Sequence, residues 1–167
     1  GVKQAGSLVE PGHLRFDFTH HKQMSEDQIR EVEALVNAKI MENITLNVFE
    51  TTYKDATERG VVSFFGDKYN PDCVRVIDIG EFSAELCGGT HVNATGDIGV
   101  FKIIEEGSLS AGIRRIVGLT GPSAVKNYQQ SFGIINRLGT DFKVQQAEIL
   151  EAVERQRKQL KQANNQA

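Results

Sequence analysis

Apolar and polar residues alternate over short stretches at the start of the chain, and this alternation predicts β-strands. In LRFDF, residues 14–18, one Leu and two Phe residues alternate with Arg and Asp, as in a strand that buries one face and exposes the other. Residues 2–9 also have strand character, and the EPGH segment that follows contains the Pro and Gly of a turn. We therefore expect two strands joined by a turn.

A helical period replaces the alternation at about residues 25–42. Apolar residues recur there at three- and four-residue intervals, as on one face of a helix. Ser25 followed by Gln28 forms a capping-box pattern, and Glu26 and Asp27 place negative charge in the first turn, where the helix dipole favours it. The pattern predicts one long helix.

The remaining stretches up to residue 121 predict further strands joined by glycine-containing turns. Residues 44–52 have strand character, residues 53–60 form a short helical pattern that ends at Gly60, and residues 61–80 suggest two strands around GDKYNPD. SAELCGGTHV leads from a strand into a glycine loop, and residues 99–121 supply two more strands. These elements predict an α+β fold, with a mostly antiparallel sheet of about six strands packed by one long helix.

The pattern becomes helical again near the end of the chain. Pro122 directly after Gly121 is typical of a helix start, and an apolar stripe continues to Leu138. Beyond residue 143 there is no Gly or Pro, and a narrow apolar seam follows heptad spacing. The seam consists of Phe142, Gln146, Ile149, Val153, Gln156 and Leu160.

This change of pattern divides the chain into three parts. We expect an α+β domain at 1–121, a connecting helix at 122–139 and a C-terminal, coiled-coil-like helical arm at 140–167. The heptad seam also suggests self-association through the arm.

Composition and charge narrow the class of protein. With 40% hydrophobic and 25% charged residues, the chain is near the globular average, so we expect a packed core. The net charge of −3 gives no overall basic field, so any contact with RNA must come from local basic clusters. Two cysteines, no secretory signal and no long apolar run favour a cytoplasmic protein without a membrane span. The chain begins without Met and ends inside the helical pattern, which suggests a piece of a longer protein.

Cys87 and His91, in ELCGGTHV, are candidate metal ligands. Thiolate and imidazole are favoured zinc ligands, and the two glycines between them would let the backbone turn both side chains toward one ion. Zinc takes four ligands, or three and a water, and His13, His20 and His21 form no helical HxxxH pattern. The pair therefore predicts half a zinc site, and the alternative is a buried thiol beside a turn histidine.

Glu85 and Gln4 are candidate site residues, and each also has a simpler structural interpretation. Glu85 precedes Cys87 by two residues, so on a strand both face the same way, and its carboxylate would orient a ligand or a metal-bound water. Gln4 offers an amide donor and a carbonyl acceptor to a substrate. Either side chain is otherwise an ordinary solvent-facing strand residue. We expect the site where VKQAGS and ELCGGTH meet.

Arg114 and Arg115 are candidates for contact with RNA. Together with Lys102 they would form a small basic patch, although adjacent residues on a strand face opposite ways. The alternative is pairing with acids such as Glu105 or Asp17.

ELCGGTHV, with TGDIGVFKIIEEGSLSAGIRRIVGLTG after it and QAGSLV and RFDF before it, closely resembles the editing domain of alanyl-tRNA synthetases from residue 2 to about 121. The helical arm resembles the linker that leads to a C-terminal domain in that family. Free-standing editing proteins of the same family are the nearest alternative, and the arm argues against them. The family holds zinc with two histidines of an HxxxH motif and with the cysteine and histidine that match Cys87 and His91. The HxxxH half would lie upstream of Gly1.

The resemblance implies zinc-dependent hydrolysis of tRNA(Ala) that carries serine or glycine. A pocket that admits alanine cannot exclude glycine, and it rejects an added hydroxyl only about a hundredfold. The resemblance further implies roles near the editing pocket for Gln4, Glu85 and Thr90, and tRNA contacts for Arg114 and Arg115.

The resemblance also sets expectations for this chain by itself. ATP and magnesium would belong only to an aminoacylation domain outside this sequence. With two zinc ligands, the chain is expected to bind zinc weakly or not at all and to be inactive alone. A non-catalytic tRNA-docking or assembly module is the second alternative.

Overall fold

The computed structural model describes residues 2–63 and 69–166 and divides the chain into two compact units, Gly1–Ala124 and Val125–Ala167. The first unit contains the strands and the first two helices. They are β1 (Gln4–Glu10), β2 (His13–Thr19), α1 (Glu26–Met41), β3 (Asn47–Thr51), α2 (Tyr53–Glu58), β4 (Val74–Asp78), β5 (Ala84–Leu86), β6 (Phe101–Ser110) and β7 (Ile113–Thr120). Helix α3 (Gly121–Phe142) begins at the end of this unit, and α4 (Ile149–Gln166) lies in the second.

Four strands form an antiparallel sheet in the order β1-β2-β7-β6. Two tight hairpins build it, closing at Glu10 opposite His13 and at Ser110 opposite Ile113. Gly12, in the first turn, has a φ of 100°, a conformation that glycine adopts without steric cost. The predicted pair of strands joined by a turn at the start of the chain is confirmed.

Helix α1 packs on this sheet beside β6. Ser25 caps it as predicted: the Gln28 N–H donates to Ser25 Oγ at 3.2 Å, and the Ser25 N–H donates to Gln28 Oε1 at 2.9 Å. Ile40 forms a buried cluster with Phe101 and Ile103 of β6. The predicted long helix is therefore confirmed, and apolar burial holds it against the sheet.

Polar bonds from α1 to the first residues of β6 add to this packing. The Asn37 side chain donates to the Phe101 carbonyl at 2.8 Å and accepts from the Phe101 N–H at 2.8 Å. Glu33 accepts from the Ile103 N–H at 2.7 Å and pairs with Lys102. The helix thus fixes the edge of the sheet through side chains that satisfy otherwise unpaired backbone groups.

The remaining strands form a second, three-stranded antiparallel sheet in the order β3-β4-β5. Its core consists of Ala56, Val74, Val76 and Leu86. The α+β class is confirmed, but the expected single sheet of about six strands is two sheets of four and three in the described residues. Alternation gives the buried face of each strand but not its partner, because pairing depends on contacts far apart in sequence.

The predicted strand at about 61–65 is only partly within the described residues. Val62 forms an isolated parallel bridge with Glu85, and residues 64–68, including the start of the GDKYNPD turn, lie outside the described part of the chain.

Asp17 departs from the expected pattern of β2. The alternation in LRFDF places it on a solvent face, yet it is only 5% exposed. Strand β2 lies between β1 and β7, and the Arg115 guanidinium of β7 donates to both oxygens of the carboxylate. The expectation was wrong because a cross-strand ion pair satisfies a carboxylate that would otherwise require water.

In the second unit, the expected seam from Phe142 to Leu160 does not run along one helix. Helix α3 ends at Phe142, Lys143 has a positive φ of 55°, and a 3₁₀ turn at Gln146–Glu148 precedes α4. Ile149 is buried at the start of α4. In the described parts of the chain no helix combines the length and apolar character that a bilayer crossing needs.

Candidate functional site

A cleft of about 1160 Å³ in the first unit brings together three of the predicted site residues, Cys87, Thr90 and His91. Its walls come from the β1–β2 turn, the loop that follows β5, the segment at 96–99 and the end of β7 with the following residues up to 123. The cleft is therefore formed by loops that two sheets hold in place.

The loop after β5 turns the two candidate ligands toward common space. Leu86, the last residue of β5, is buried in the core of the second sheet, so Cys87 leaves the sheet from a fixed position. A Cβ added at Gly89 would lie 3.6 Å from Cys87 Sγ and 3.9 Å from His91 Cε1. The thiol and the imidazole thus border the same small space, which the missing side chain of Gly89 leaves open.

These two donors fit zinc as part of a coordination shell. A thiolate and an imidazole are both first-choice zinc ligands, and neither side chain has a hydrogen-bond partner within residues 2–63 and 69–166. Across those same residues, no group of three or more His, Cys, Asp and Glu side chains is arranged to hold a metal. His13 lines the same cleft but adds no third donor. The remaining ligands of a zinc site would have to come from outside the described chain.

Arg75 holds the loop and was not singled out from the sequence. Its Nη1 donates to the Cys87 carbonyl at 3.0 Å and to the Gly89 carbonyl at 2.6 Å. Its own carbonyl accepts the Cys87 N–H at 3.1 Å. In VRVID, residues 74–78, Arg75 is one of two polar residues, and nothing in that pattern links it to the loop. The register between β4 and β5 is what identifies it.

Gln4 and Glu85 lie outside the walls of the cleft. Gln4 is at the start of β1, opposite Phe18, and its Nε2 donates to Ser7 Oγ at 3.2 Å. The far end of β1 reaches the cleft through Val9, and five residues of strand separate the two points by about 16 Å. Glu85 lies on β5 between its partner Ile77 and the bridge to Val62.

The expected site where VKQAGS and ELCGGTH meet stays a prediction, because the cleft that holds Cys87 and His91 is not lined by residues 2–7. The β1–β2 turn lies at the cleft instead of the start of β1. The direction of β1 decides this, and a sequence pattern carries no information about which end of a strand faces a distant loop.

Both predicted tRNA-binding arginines are engaged by carboxylates. Arg114 donates to Glu106 at 2.6 and 2.7 Å, and Arg115 donates to Asp17 at 2.7 and 2.9 Å. Of the alternatives considered from the sequence, the pairing of Arg115 with Asp17 is formed, and Arg114 pairs with Glu106 instead of Glu105. Neither arginine lines the cleft, and their contact with tRNA stays a prediction.

These ion pairs shift the pKa of Asp17, Arg114 and Arg115 toward the charged form. The pKa of Asp17 is lowered, first by the Arg115 hydrogen bonds, against the opposing effect of burial, and further by the charges of Arg115 and Arg15. The pKa of Arg114 is raised chiefly by its hydrogen bonds to Glu106, and that of Arg115 by its hydrogen bonds to Asp17. Asp17, Arg114 and Arg115 therefore stay ionised at neutral pH.

Part of the chain matches a known protein family. Residues 74–117, from β4 into β7 and including the loop with Cys87 and His91, match the family described as the threonyl and alanyl tRNA synthetase second additional domain. This match indicates the class of protein: residues 74–117 resemble a domain described from threonyl- and alanyl-tRNA synthetases.

The similar proteins are alanine–tRNA ligases. The alanine–tRNA ligase of Solibacter usitatus is 46% identical over 154 residues, which are 92% of this chain and 17% of the ligase. The alanine–tRNA ligases of Carboxydothermus hydrogenoformans and Burkholderia mallei are each 45% identical over 96% of this chain and 18% of their own length. The predicted resemblance to alanyl-tRNA synthetases is confirmed: the chain matches a segment of alanine–tRNA ligases and spans less than a fifth of their length.

Proposed function

We propose that the cleft is part of a zinc-dependent editing site, which in the longer ligase hydrolyses tRNA(Ala) carrying serine or glycine. The observation that carries the proposal is the placement of Cys87 Sγ and the His91 ring around the space at Gly89, inside the cleft. A volume of about 1160 Å³ is slightly larger than that of most small-molecule pockets. It offers room for the terminal nucleotide of tRNA with its aminoacyl ester.

In this proposal, Cys87 and His91 hold the metal and Thr90 faces the substrate. Zinc, when bound, would supply a Lewis acid that polarises water or the ester carbonyl. The Thr90 hydroxyl both donates and accepts hydrogen bonds, and it lines the cleft between the two ligands in sequence. Apolar side chains such as Leu14, Val92 and Ile98 line the same cleft and would exclude bulk water from the ester.

The roles of the other predicted residues follow from their positions. Gln4 and Glu85 do not line the cleft, so they are assigned no chemical step here. Arg114 and Arg115 would reach tRNA only as members of ion pairs, which limits them to contacts made by donor groups that their carboxylates leave free.

The longer protein is proposed to ligate alanine to tRNA(Ala) with ATP and magnesium, in a part that this chain does not contain. Support comes from the names of the similar proteins, all alanine–tRNA ligases. The cytoplasm is the proposed compartment, since tRNA charging accompanies protein synthesis there.

The deciding experiment compares this chain with a full-length ligase that contains it. Zinc per chain and release of serine from Ser-tRNA(Ala) are measured for both. We expect stoichiometric zinc and serine release from the full-length ligase only, because two ligands do not complete a zinc shell. One equivalent of zinc in the short chain would contradict the half-site, and a full-length ligase without either property would remove the editing assignment.

A second candidate function, self-association, is favoured by α3. Four apolar side chains at helical spacing along it are 40–55% exposed. They are Val125, Tyr128, Phe132 and Ile135. A contiguous exposed apolar stripe of this kind is typical of a surface that binds another protein. Sedimentation of the chain and of Phe132→Asp tests this, and a monomer in both samples removes the idea.

A further inference from the structure

We propose that Arg75 is a positioning residue that sets the conformation of the loop at 87–91 and thereby brings Cys87 and His91 to the same space. Its importance for zinc binding rests on the proposed function, whereas its hold on the loop can be measured without metal.

The register of the second sheet puts Arg75 beside the loop. In the β4–β5 ladder, Val76 lies opposite Leu86 and Ile77 lies opposite Glu85. The next pair in this register is Arg75 and Cys87, and the Cys87 N–H donates to the Arg75 carbonyl at 3.1 Å. Residues opposite each other point to the same face of a sheet, so Arg75 shares its face with Cys87, away from the buried Val76.

The guanidinium then fixes the path of the chain beyond the strand. One nitrogen, Nη1, donates to the carbonyls of Cys87 and Gly89, at 3.0 and 2.6 Å. Hydrogen bonds from a charged donor are roughly twice as strong as neutral ones. Two carbonyls that are two residues apart are held by a single group, which defines the turn between them.

No other hydrogen bond takes over this role within the described chain. Among residues 2–63 and 69–166, only one hydrogen bond reaches the segment 88–92, and it is the bond from Arg75 to the Gly89 carbonyl. Gly88 and Gly89 have the greatest backbone freedom of any residue type. Without Arg75, the two glycines would be ordered only when a metal binds, and metal binding would then bear the full loss of their conformational entropy.

The charge of Arg75 is not committed to an acid elsewhere in the described residues. Arg114 and Arg115 each form a bidentate ion pair, whereas no carboxylate in the described ranges lies within 4.0 Å of the Arg75 guanidinium. Glu50, opposite Arg75 on β3, accepts from the Cys73 thiol at 3.6 Å. The loop carbonyls are thus the partners of this guanidinium, as expected of a group that orients ligands from outside the coordination shell.

The test uses Arg75→Met, which keeps the aliphatic bulk and removes the donors, and Arg75→Lys, which restores a charged donor. Arg30→Met is the matched control, since Arg30 lies on an exposed face of α1. Val74→Ala controls for stability, because it creates a core defect in the same strand as Arg75 without touching the loop.

Two readouts separate positioning from general damage. The first is the backbone order parameter of Gly88 and Gly89, from ¹⁵N relaxation of the 167-residue chain without metal. We expect values near 0.8 in the unsubstituted chain and the controls, and below about 0.6 in Arg75→Met. The second is zinc affinity in a full-length ligase, which Arg75→Met should lower about 10- to 100-fold and Arg75→Lys should partly rescue.

Each outcome decides the inference. Unchanged order parameters in Arg75→Met overturn it, and so does a loss that Val74→Ala reproduces. If the unsubstituted ligase binds no zinc, the proposed function fails, and a loop that loosens only in Arg75→Met still supports the positioning role. If the ligase binds zinc with the same affinity with and without Arg75→Met, the proposed function stands and the inference is overturned.

Discussion

The loop at 87–91 and the arginines on β7 both contain residues that the sequence assigns to function, but their surroundings differ. Around Gly89, the Cys87 thiol and the His91 imidazole border an open space in a cleft and have no hydrogen-bond partner in the described chain. Arg114 and Arg115 each donate to one carboxylate through Nε and Nη2 of the guanidinium group.

This difference separates groups available to a ligand from groups already used by the fold. A buried carboxylate that pairs with an arginine stabilises the sheet. Removing either side chain of the pair leaves the other without its hydrogen-bond partner. Donors that border a shaped cavity without partners gain their interactions only when something binds. The comparison predicts that substitutions in the loop change zinc binding and serine release. Substitutions in the ion pairs should instead change the stability of the fold.

The largest expected effect is the loss of Cys87. In a full-length ligase, Cys87→Ala should remove stoichiometric zinc and lower serine release from Ser-tRNA(Ala) by at least about 100-fold, since removal of a metal ligand costs more than removal of a residue that only supports one. Zinc content and single-turnover deacylation are the measurements. Cys73→Ala is the control, because Cys73 is exposed and lies outside the cleft. Equal zinc in both variants would break the comparison.

A smaller effect is expected from filling the space between the two donors. Gly89→Ala would place a methyl 3.6 Å from Cys87 Sγ, an ordinary contact for the metal-free chain but an obstacle to an ion. We expect an unchanged Tm and zinc affinity lowered roughly 10-fold in the full-length ligase. Gly88→Ala is the matched control, since its added Cβ meets nothing within 4 Å. Equal affinities for the two variants would show that the space at Gly89 is not the metal's position.

Substitution in the Asp17–Arg115 ion pair should change stability and leave zinc binding unchanged. Asp17→Asn leaves Arg115 without its carboxylate and should lower the Tm of the chain by roughly 5–10 °C, with zinc binding by the full-length ligase unchanged. Thermal unfolding followed by circular dichroism measures the first, and zinc titration the second. The exposed Asp27→Asn is the control and should shift Tm by no more than about 2 °C. Loss of zinc in Asp17→Asn at an unchanged Tm would reverse the assignment of the two regions.

The smallest effect is the pH dependence of that same pair. Because the folded-state pKa of Asp17 is lowered from the ordinary value of 3.8, its contribution to stability is complete above the unfolded-state pKa and is lost as pH falls toward the folded-state value. The Tm difference between the unsubstituted chain and Asp17→Asn should therefore stay constant from about pH 7 to 5 and shrink below about pH 4. A difference that persists unchanged at about pH 2 would mean that the carboxylate charge is not what stabilises the sheet.

Features that depend on neighbours in sequence were predicted well. Ser25 and Gln28 are three residues apart, and their reciprocal capping bonds form as the spacing indicates. Cys87 and His91 are four apart with two glycines between them, and their side chains border one space. The backbone between Ser25 and Gln28 is too short to allow many other arrangements, whereas the glycine-containing segment between Cys87 and His91 is also held by Arg75.

Features that depend on strand pairing were either left open, as the pairing of Arg115 with Asp17 was, or missed. Asp17 and Arg115 are 98 positions apart, and only the β2–β7 register places one opposite the other. Gly6, opposite Asp17 on β1, has no side chain to occupy the space that the carboxylate fills. The hold of Arg75 on the loop likewise follows from the register of β4 with β5.

The sequence by itself thus determined the α+β class, the long capped helix, the closeness of Cys87 to His91 and the relation to alanyl-tRNA synthetases. The tertiary structure decided that the strands form two sheets, that the β1–β2 turn and not Gln4 lies at the cleft, and that the arginines of β7 are bound to acids. The physical reason is range: local spacing constrains a few dihedral angles directly, whereas the partners of a strand are chosen by burial and hydrogen bonding over the whole domain.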